Sequence, residues 1–546
     1  MRHSLLLGIV FCFCLNGFGQ NKYLVLLKNK TGSPYSIDRP QEFLSQRSID
    51  RRSRQKIKIT ERELPPNPAY LQQIAQTGAK IWYKSRWLNA VLIETSAAKL
   101  SAVLALPFVK GLERDGDIRN SRMAAPADFT RDKMETLESP LNYGNSLNQI
   151  QMLGADKMHE AGFKGEGMLI GILDSGFKNA NTVPYLAHLF TGNKIVKTWD
   201  FVANESSVYE DHPHGLGVLS CIAGLQEGQL VGTAPKASFA LFRTEDVASE
   251  TRIEEANWLF GAEMADSLGV DVLNSSLGYY DFDVPIPDYS KADINGNKTL
   301  VTRAADWLAA TGVLVCNSAG NEGNDPTWNY IIAPADADSV LAIAAVDANR
   351  SRVSFSSPGP RVDGRIKPDL AAKGGGTSLG NQNGTIGVSN GTSFSSPLIA
   401  GFAAGFWQAN PKLTNMEVMD YLKRSGSQYN QPDGLLGYGI PDFAKAQEEV
   451  AIDEAINNVK GTGAYFVVFS NPFFEGNELK VIILEPLKYA APYNWTLFSA
   501  VGQPLYDGTA NNRYFKLSPT PNLPAGTYLL RISSKDLTQT VRVVKY

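Results

Sequence analysis

The chain has 546 residues, enough for about three or four domains of ordinary size. Hydrophobic residues make up 43% and charged residues 20%, a globular composition that excludes a wholly disordered, collagen-like or coiled-coil chain. The net charge of −3 gives no basic excess for binding nucleic acid.

The N-terminus has the pattern of a secretory signal peptide. Arg2 precedes an apolar run from Leu5 to Leu15, and Gly17 and Gly19 supply the small residues of a cleavage site. The run is shorter than the ~20 apolar residues that a membrane span needs, and no later segment reaches that length. We therefore predict that residues 1–19 are a signal peptide and that the mature protein is exported without a membrane span.

Residues 20–120 are predicted to form a small α+β module. Strand patterns at 22–27, 87–94 and 108–112 alternate with helical patterns at 41–55 and 96–106. The first helical pattern carries four arginines, which are Arg47, Arg51, Arg52 and Arg54. They could form a binding patch, but a run of charges is more often the solvated face of a helix, and we predict the latter. Residues 121–142 lack hydrophobic periodicity and are predicted to be a linker exposed to cleavage.

Residues 143–454 alternate short apolar strands, such as 168–173, 239–242, 270–274 and 313–316, with helical stretches. This alternation predicts an α/β domain with a parallel sheet covered by helices on both faces. Cys221 and Cys316 fall in a helix and a strand of this domain and are predicted to be buried free thiols, although a disulfide between them stays open. Residues 455–546 hold short strands separated by Asn, Gly and Pro, which predict a β-sandwich.

Several polar residues stand where such a fold places its chemistry. Asp174 directly follows an apolar strand and should emerge at the carboxyl edge of the sheet. Asn321 follows another apolar strand and can donate an N–H group to an oxyanion. His214 stands just before a helical pattern, and Ser393 stands at the start of an apolar helix, whose dipole favours a developing oxyanion. Taken singly, they could be turn, capping or packing residues.

Together these residues occur in the order Asp174, His214, Asn321 and Ser393, and over about residues 145–450 the chain closely resembles the subtilisin-like serine proteases. The resemblance implies a catalytic triad of Asp174, His214 and Ser393 with Asn321 as oxyanion donor. It also implies a substrate-binding set made of Ser276, Leu277, Gly278, Ala319 and Gly320. By position within the motifs, His214 is chosen over His212, and Ser393 over Ser395 and Ser396.

The chain departs from the family's pattern after the histidine. The family usually has Gly-Thr-His at this point, whereas His214 is followed by Gly215, Leu216 and Gly217. The second histidine of the family's pattern is not a member of the triad, so the departure leaves the predicted activity intact.

The flanking regions carry resemblances of their own. Residues 20–120 look like the propeptide of subtilases, which in that family assists folding and blocks the active site until it is cleaved. Residues 455–546 are similar to the C-terminal sorting domains of type IX secretion in Bacteroidetes-type bacteria, since 471–473 read Asn-Pro-Phe, 501–503 read Val-Gly-Gln and 523–528 read Leu-Pro-Ala-Gly-Thr-Tyr. The alternative is an ordinary stabilising β-sandwich.

The resulting prediction is a secreted or cell-surface serine endopeptidase, made as a zymogen and exported by way of the periplasm. Its expected partners are protein or peptide substrates, its own propeptide and the type IX secretion machinery. The triad requires no cofactor. Asp293, Asn295 and Asn297 could bind calcium, but no bidentate acid follows at EF-hand spacing, so a polar turn is preferred.

Two other classes of protein are alternatives to this prediction. One is a catalytically inactive subtilase-fold surface binding protein, which a missing triad residue would favour, and no triad residue is missing. The other is a serine esterase or lipase, whose nucleophile usually precedes the acid and the histidine in the chain, the reverse of the order here.

Overall fold

The structure is a computed structural model that describes residues 21–113, 141–460, 462–469, 471–472, 478–484, 491–517, 523–535 and 537–546. The predicted signal peptide and most of the predicted linker lie outside these residues. The chain divides into two units, one up to Asp442 and the other from Phe443 onward.

Residues 21–113 form a four-stranded antiparallel sheet with three helices. The elements are β1 (Asn21–Leu27), α1 (Gln46–Arg54), α2 (Pro68–Gln76), β2 (Lys80–Ser85), β3 (Ala90–Thr95), α3 (Ala97–Leu104) and β4 (Val109–Leu112). The strand order is β2-β3-β1-β4, and apolar side chains of the sheet pack with those of α2 and α3. The predicted α+β module is confirmed, although the sequence did not predict α2 and β2.

Helix α1 begins after Ser45, whose hydroxyl caps the helix by accepting the Ser48 N–H. The prediction that its arginines form a solvated face is wrong for Arg51 and Arg52, whereas the side chains of Arg47 and Arg54 are each 42% exposed. Arg51 and Arg52 are each 1% exposed because both donate to Asp266, a carboxylate more than 200 residues further along the chain. A charge pattern within one segment does not reveal such a distant partner.

Residues 141–442 are built on a seven-stranded parallel sheet in the order β13-β12-β11-β10-β5-β9-β6. In chain order the elements are α4 (Leu147–Gln151), α5 (Ala155–Glu160), β5 (Leu169–Asp174), α6 (Ala187–Thr191), β6 (Ile195–Asp200), α7 (His214–Ala223), β7 (Leu225–Gln226), β8 (Leu230–Val231), β9 (Ser238–Arg243), α8 (Arg252–Leu268), β10 (Val272–Ser275), α9 (Leu300–Ala310), β11 (Leu314–Ser318), β12 (Val340–Val346), β13 (Leu370–Lys373), β14 (Thr377–Gly380), β15 (Ile386–Ser389), α10 (Thr392–Ala409) and α11 (Asn415–Arg424).

Helices cover both faces of this sheet, as predicted. Alternate residues of β5, such as Leu169 and Leu173, pack in one cluster with α8 and α9. Helix α10 contacts α7 and lies against β10 to β13, and its residues are buried from Thr392 to Trp407. Strands buried on both faces explain the continuous apolar runs in the sequence. Cys221 in α7 and Cys316 in β11 are buried and free, which confirms the predicted thiols.

The second unit contains a helix and two antiparallel sheets. Its elements are α12 (Phe443–Val459), β16 (Phe466–Phe469), β17 (Leu479–Ile483), β18 (Tyr493–Ser499), β19 (Pro504–Ala510), β20 (Tyr514–Leu517), β21 (Gly526–Ser534) and β22 (Leu537–Lys545). The sheets β16-β17-β20 and β19-β18-β21-β22 share one apolar core, as in a sandwich. Helix α12 runs across the boundary predicted between residues 454 and 455. It packs on the strands of the second unit, since Ile452 lies in one apolar cluster with Val467 and Phe469.

No helix in the described ranges is long and apolar enough to cross a membrane.

Candidate active site

The four predicted catalytic residues are placed by elements that meet at the carboxyl edge of the parallel sheet. Asp174 is the last residue of β5, and Asn321 follows the end of β11 by three residues. His214 is the first residue of α7, and Ser393 is the second residue of α10. Parallel α/β sheets hold their ligands at this edge.

Asp174 and His214 are joined by a hydrogen bond. Nδ1 of His214 lies 2.8 Å from Oδ1 of Asp174, whose side chain is fully buried, whereas the His214 side chain is 26% exposed. The Ser175 N–H donates to the same carboxylate oxygen. Burial alone would lower the pKa of the His214 imidazole, but the Asp174 charge and this hydrogen bond outweigh it and raise that pKa. The carboxylate therefore favours a proton on Nδ1 and leaves Nε2 as the proton acceptor.

The structure brings His214, rather than His212, to the carboxylate. Nδ1 of His212 lies 3.0 Å from the Ser175 hydroxyl instead, and burial lowers the pKa of His212. Close packing explains why the residue after His214 is a glycine. A Cβ at position 215 would lie 2.9 Å from the Asp174 Cβ. A larger residue at this position would push the aspartate and the histidine apart.

Ser393 contacts the predicted substrate segment, and the residue after it contacts the histidine. Its side chain donates to the Ser276 carbonyl over 3.5 Å, and the Ser276 hydroxyl donates to the Ser393 carbonyl over 2.8 Å. The ring of the next residue, Phe394, lies 5.6 Å from the His214 ring. The serine stands in the first turn of an 18-residue helix, where free N–H groups and the helix dipole favour negative charge.

The Asn321 side chain is held in one orientation by Thr392. Its Oδ1 accepts the Thr392 backbone N–H at 2.9 Å and the Thr392 hydroxyl at 3.0 Å. Because a backbone N–H can only donate, the amide oxygen must face Thr392, and the amide NH₂ group is left for another acceptor. The Thr392 hydroxyl also accepts the Gly320 N–H. Thr392 belongs to the Gly-Thr-Ser motif, yet sequence reasoning gave it no role.

The five predicted substrate-binding residues lie at the ends of two paired strands. Ser276, Leu277 and Gly278 continue β10, while Ala319 and Gly320 continue β11. The Leu277 carbonyl accepts a hydrogen bond from the Asn317 side chain at 3.0 Å.

Two of these predicted positions are glycines with close neighbours. A Cβ at Gly278 would lie 2.1 Å from Ile332. Gly320 has φ of +110°, and a Cβ there would lie 2.6 Å from the Ser357 hydroxyl.

A groove of about 490 Å³ borders His214 on the side of the hairpin β14–β15. Its apolar lining includes Leu379, Val388 and Phe394, and the amides of Asn381 and Gln382 stand in it as well. The sequence did not predict this hairpin, because its strands are only four residues long and one of them is only partly buried.

The residues weighed for calcium form a hydrogen-bonded turn. Asp293 pairs with Lys298 and accepts from the Ser290 backbone and hydroxyl, and Asn295 accepts the Asn297 N–H. Within the part of the chain that the structure describes, no group of three or more His, Cys, Asp or Glu side chains could hold a metal ion.

Comparisons with known proteins agree with this geometry. The sequence model of the Subtilase family matches residues 165–439, and that of the peptidase S8 propeptide domain of Bacteroidota matches residues 22–128. Subtilisin DY of Bacillus licheniformis is 30% identical over 279 residues, which cover 51% of this chain and 90% of that protein. Subtilisin of Bacillus pumilus is 31% identical over 294 residues, covering 53% of this chain and 95% of that protein. Subtilisin E of Bacillus subtilis is 28% identical over 370 residues, which cover 66% of this chain and 83% of that protein. With half of its length matched by the family and its sheet edge arranged in this way, the chain belongs to the subtilase family.

Proposed function

We propose that this subtilisin-like serine endopeptidase is secreted and cuts proteins with a triad of Asp174, His214 and Ser393. The observation that carries the triad is the 2.8 Å contact between Nδ1 of His214 and a fully buried Asp174. Ser393 stands at the head of α10, where its Phe394 neighbour contacts the His214 ring. An inactive binding protein would require a missing or displaced member of this set.

The proposed reaction begins with Ser393. Its hydroxyl attacks the carbonyl carbon of the peptide bond while Nε2 of His214 takes the hydroxyl proton, and the same imidazole later gives a proton to the leaving amine. Asp174 holds the tautomer with a proton on Nδ1 and stabilises the imidazolium that forms. The direction of the His214 pKa shift supports this role, because it reflects stabilisation of the charged ring.

The negative oxygen of the tetrahedral intermediate needs donors. The Asn321 NH₂ group is one, since Thr392 already occupies the other end of that amide. The Ser393 backbone N–H, in the first turn of α10, is the second. These groups supply nucleophile, base and oxyanion donors, so the proposed reaction needs no metal or organic cofactor.

Substrate is proposed to bind as an extended strand beside the segment 276–278. The residues Ala319 and Gly320 would form the opposite wall. This placement is supported by the paired ends of β10 and β11, since Ser276 contacts Ser393 and Gly320 contacts Thr392.

The first module is proposed to keep the enzyme latent until the chain is cut. The match of residues 22–128 to a subtilase propeptide supports this proposal.

Residues 1–19 and 455–546 are proposed to direct export through the periplasm and the type IX machinery. In the second unit, the motif residue Asn471 binds the β22 backbone at Arg542 and Val544.

Active-site labelling tests the triad. A fluorophosphonate should label the active protein, and the adduct should map to Ser393. Ser393→Ala should abolish both labelling and casein hydrolysis while leaving the protein folded. Ser395→Ala is the matched control, because Ser395 lies on the same helix turn but donates to the Thr392 carbonyl. An adduct on another residue, or casein hydrolysis by Ser393→Ala, would overturn the assignment.

A further inference from the structure

The segments 276–278 and 319–320, between which the substrate is proposed to bind, are called the two walls here. They continue the neighbouring strands β10 and β11. The Asn317 side chain ties them together, since its amide donates to the Leu277 carbonyl over 3.0 Å and to the Ser318 carbonyl over 2.8 Å. The space between the walls is therefore closed on the side of the sheet.

A third segment, residues 331–333, bridges the two walls. The Ile332 N–H donates to the carbonyl of Ala319, in one wall, over 3.3 Å. The carbonyl of Ala333 accepts the N–H of Tyr279, the residue after the other wall, over 2.8 Å. One short segment is thus hydrogen-bonded on both sides, and these bonds hold the Ile332 backbone in place.

The Ile332 side chain lies between the walls. A Cβ at Gly278 would lie 2.1 Å from Cδ1 of Ile332, and a Cβ at Gly320 would lie 3.0 Å from its Cγ1. The isoleucine is therefore in van der Waals contact with the backbone of both walls. A substrate side chain much larger than a methyl group could enter this space only by displacing it.

Ile332 is fixed by its surroundings as well as by its backbone. It is 7% exposed and belongs to the apolar cluster that includes residues of α8 and α9. A β-branched side chain is stiff about its first torsion angle, so moving aside would require a strained conformation. The rings of Tyr280 and Trp328 stack 4.5 Å apart and join the chain after one wall to the chain before Ile332.

Acidic side chains close to the walls favour a different substrate, one with a basic side chain. Glu322 follows the wall 319–320 by two residues. Burial raises the pKa of Glu322, and the charges of Asp281 and Asp325 act in the same direction. A lysine or arginine would relieve this repulsion, but its long stem would need the space that Ile332 occupies. The contacts of Ile332 therefore favour a small residue over a basic one.

We propose that Ile332 is a specificity-determining residue, which restricts the residue on the acyl side of the cut bond to glycine, alanine or serine. The inference rests on the proposed function, because it requires Ser393 to attack a peptide held between the two walls. It names the substrate class of that site, which is peptide bonds that follow small residues. Large aliphatic or aromatic side chains at this position would collide with Cδ1 of Ile332.

The test is a set of peptide substrates that differ only in the residue before the cut bond, which is alanine, leucine, phenylalanine or lysine. The enzyme matured from the full chain should cut the alanine substrate with the highest kcat/KM. Ile332→Val removes Cδ1 and should raise kcat/KM for leucine relative to alanine by about tenfold. Ile332→Ala should raise kcat/KM for phenylalanine relative to alanine by about 10²-fold.

A wild-type preference for leucine or phenylalanine would overturn the inference. A preference for lysine would also overturn it and would assign the specificity to Glu322 and its acidic neighbours.

Ile331→Val is the matched control. Ile331 is also apolar and fully buried, but it is not among the three nearest neighbours of a Cβ at Gly278 or Gly320. This change should therefore leave the relative rates on the four substrates unaltered. If Ile332→Ala does not fold, Ile332→Val decides, because the loss of one methyl group from a core isoleucine is usually tolerated. Unchanged relative rates in Ile332→Val would refute the inference.

The relative rates separate a failure of this inference from a failure of the proposed function. If only the inference is wrong, Ser393 is labelled and the substrates are cut with another preference. If the proposed function is wrong, Ser393 stays unlabelled and every substrate stays uncut, which would overturn both.

Discussion

The Thr392 backbone N–H donates to the side-chain oxygen of Asn321 over 2.9 Å, so the residue before the proposed nucleophile orients the proposed oxyanion donor. The Thr392 hydroxyl adds a second donor at 3.0 Å. Nucleophile and oxyanion donor are thereby fixed relative to each other through adjacent residues of one helix start, an arrangement that favours a preorganised site.

Thr392→Val should lower kcat moderately. Valine keeps the backbone N–H that binds Asn321 but removes the hydroxyl, a loss of about 1 kcal/mol or about fivefold in rate. Steady-state kinetics on a peptide substrate will measure the effect. Thr385→Val, on the exposed hairpin, is the control and should behave like wild type. An unchanged kcat for Thr392→Val would show that the backbone contact alone orients the amide.

Asn321→Ala should lower kcat by ~10²–10³-fold, because it removes one oxyanion donor. The variant should still fold and still react with a fluorophosphonate, since the triad is untouched. Turnover, circular dichroism and labelling together separate a lost donor from a lost fold. Wild-type turnover would mean that another group fills the oxyanion position.

The acidic limb of the pH profile should lie above pH 6.5, the ordinary pKa of histidine. His214 must be neutral to accept the Ser393 proton, and Asp174 raises its pKa, so activity is lost as the pH falls through that raised value. Measuring kcat/KM between about pH 5 and pH 9 will locate the midpoint. His212→Gln should leave the midpoint near its wild-type value, because His212 binds Ser175. A midpoint below 6.5 would contradict the assignment of His214 as base.

Asp174→Asn should remove both the charge that raises the His214 pKa and most of the activity. Loss of the aspartate charge in such a triad typically costs ~10⁴-fold in kcat, because the imidazole then adopts the wrong tautomer. Residual activity, if measurable, should show a midpoint shifted to lower pH. Unchanged turnover would assign the role of Asp174 to another acid.

Maturation should release residues 20–120 through a cut between Gly116 and Leu141. The reason is the linker composition of that stretch, which lies between two folded patterns. Mass spectrometry of the active species will identify the new N-terminus, and the Ser393→Ala chain should stay uncut. An active enzyme that is continuous through this stretch would contradict the zymogen proposal.

A chain truncated after Asp442 should keep its protease activity and remain in the periplasm. The cut is placed there because α12 belongs to the second unit, in which Ile452 packs on Val467 and Phe469. Activity in fractionated cells will compare the full and truncated chains. If the truncated chain reached the medium at normal levels, the sorting hypothesis would fail. If it unfolded, the second unit would instead have a stabilising role.

The sequence predicted those parts of the site that depend on local context. Asp174 ends an apolar strand and Asn321 follows another, so parallel-strand geometry brings these two to one edge, while Ser393 starts an apolar helix. Features that depend on partners distant in the chain were missed. Arg51 and Arg52 show the clearest difference, because only the folded chain brings Asp266 to them. The role of Thr392 was missed for the same reason, since its partner Asn321 is 71 residues away.

The two cysteines of the catalytic domain provide a reporter of its opening. Cys221 in α7 and Cys316 in β11 are buried and unbonded, and burial raises the pKa of both thiols. Because the thiolate is the reactive species, a thiol reagent should modify them only during transient exposure of the core. The buried segments of a protease in concentrated solution become open to digestion by its neighbours during the same exposures. Conditions that speed cysteine modification should therefore also speed self-digestion within the core of the enzyme.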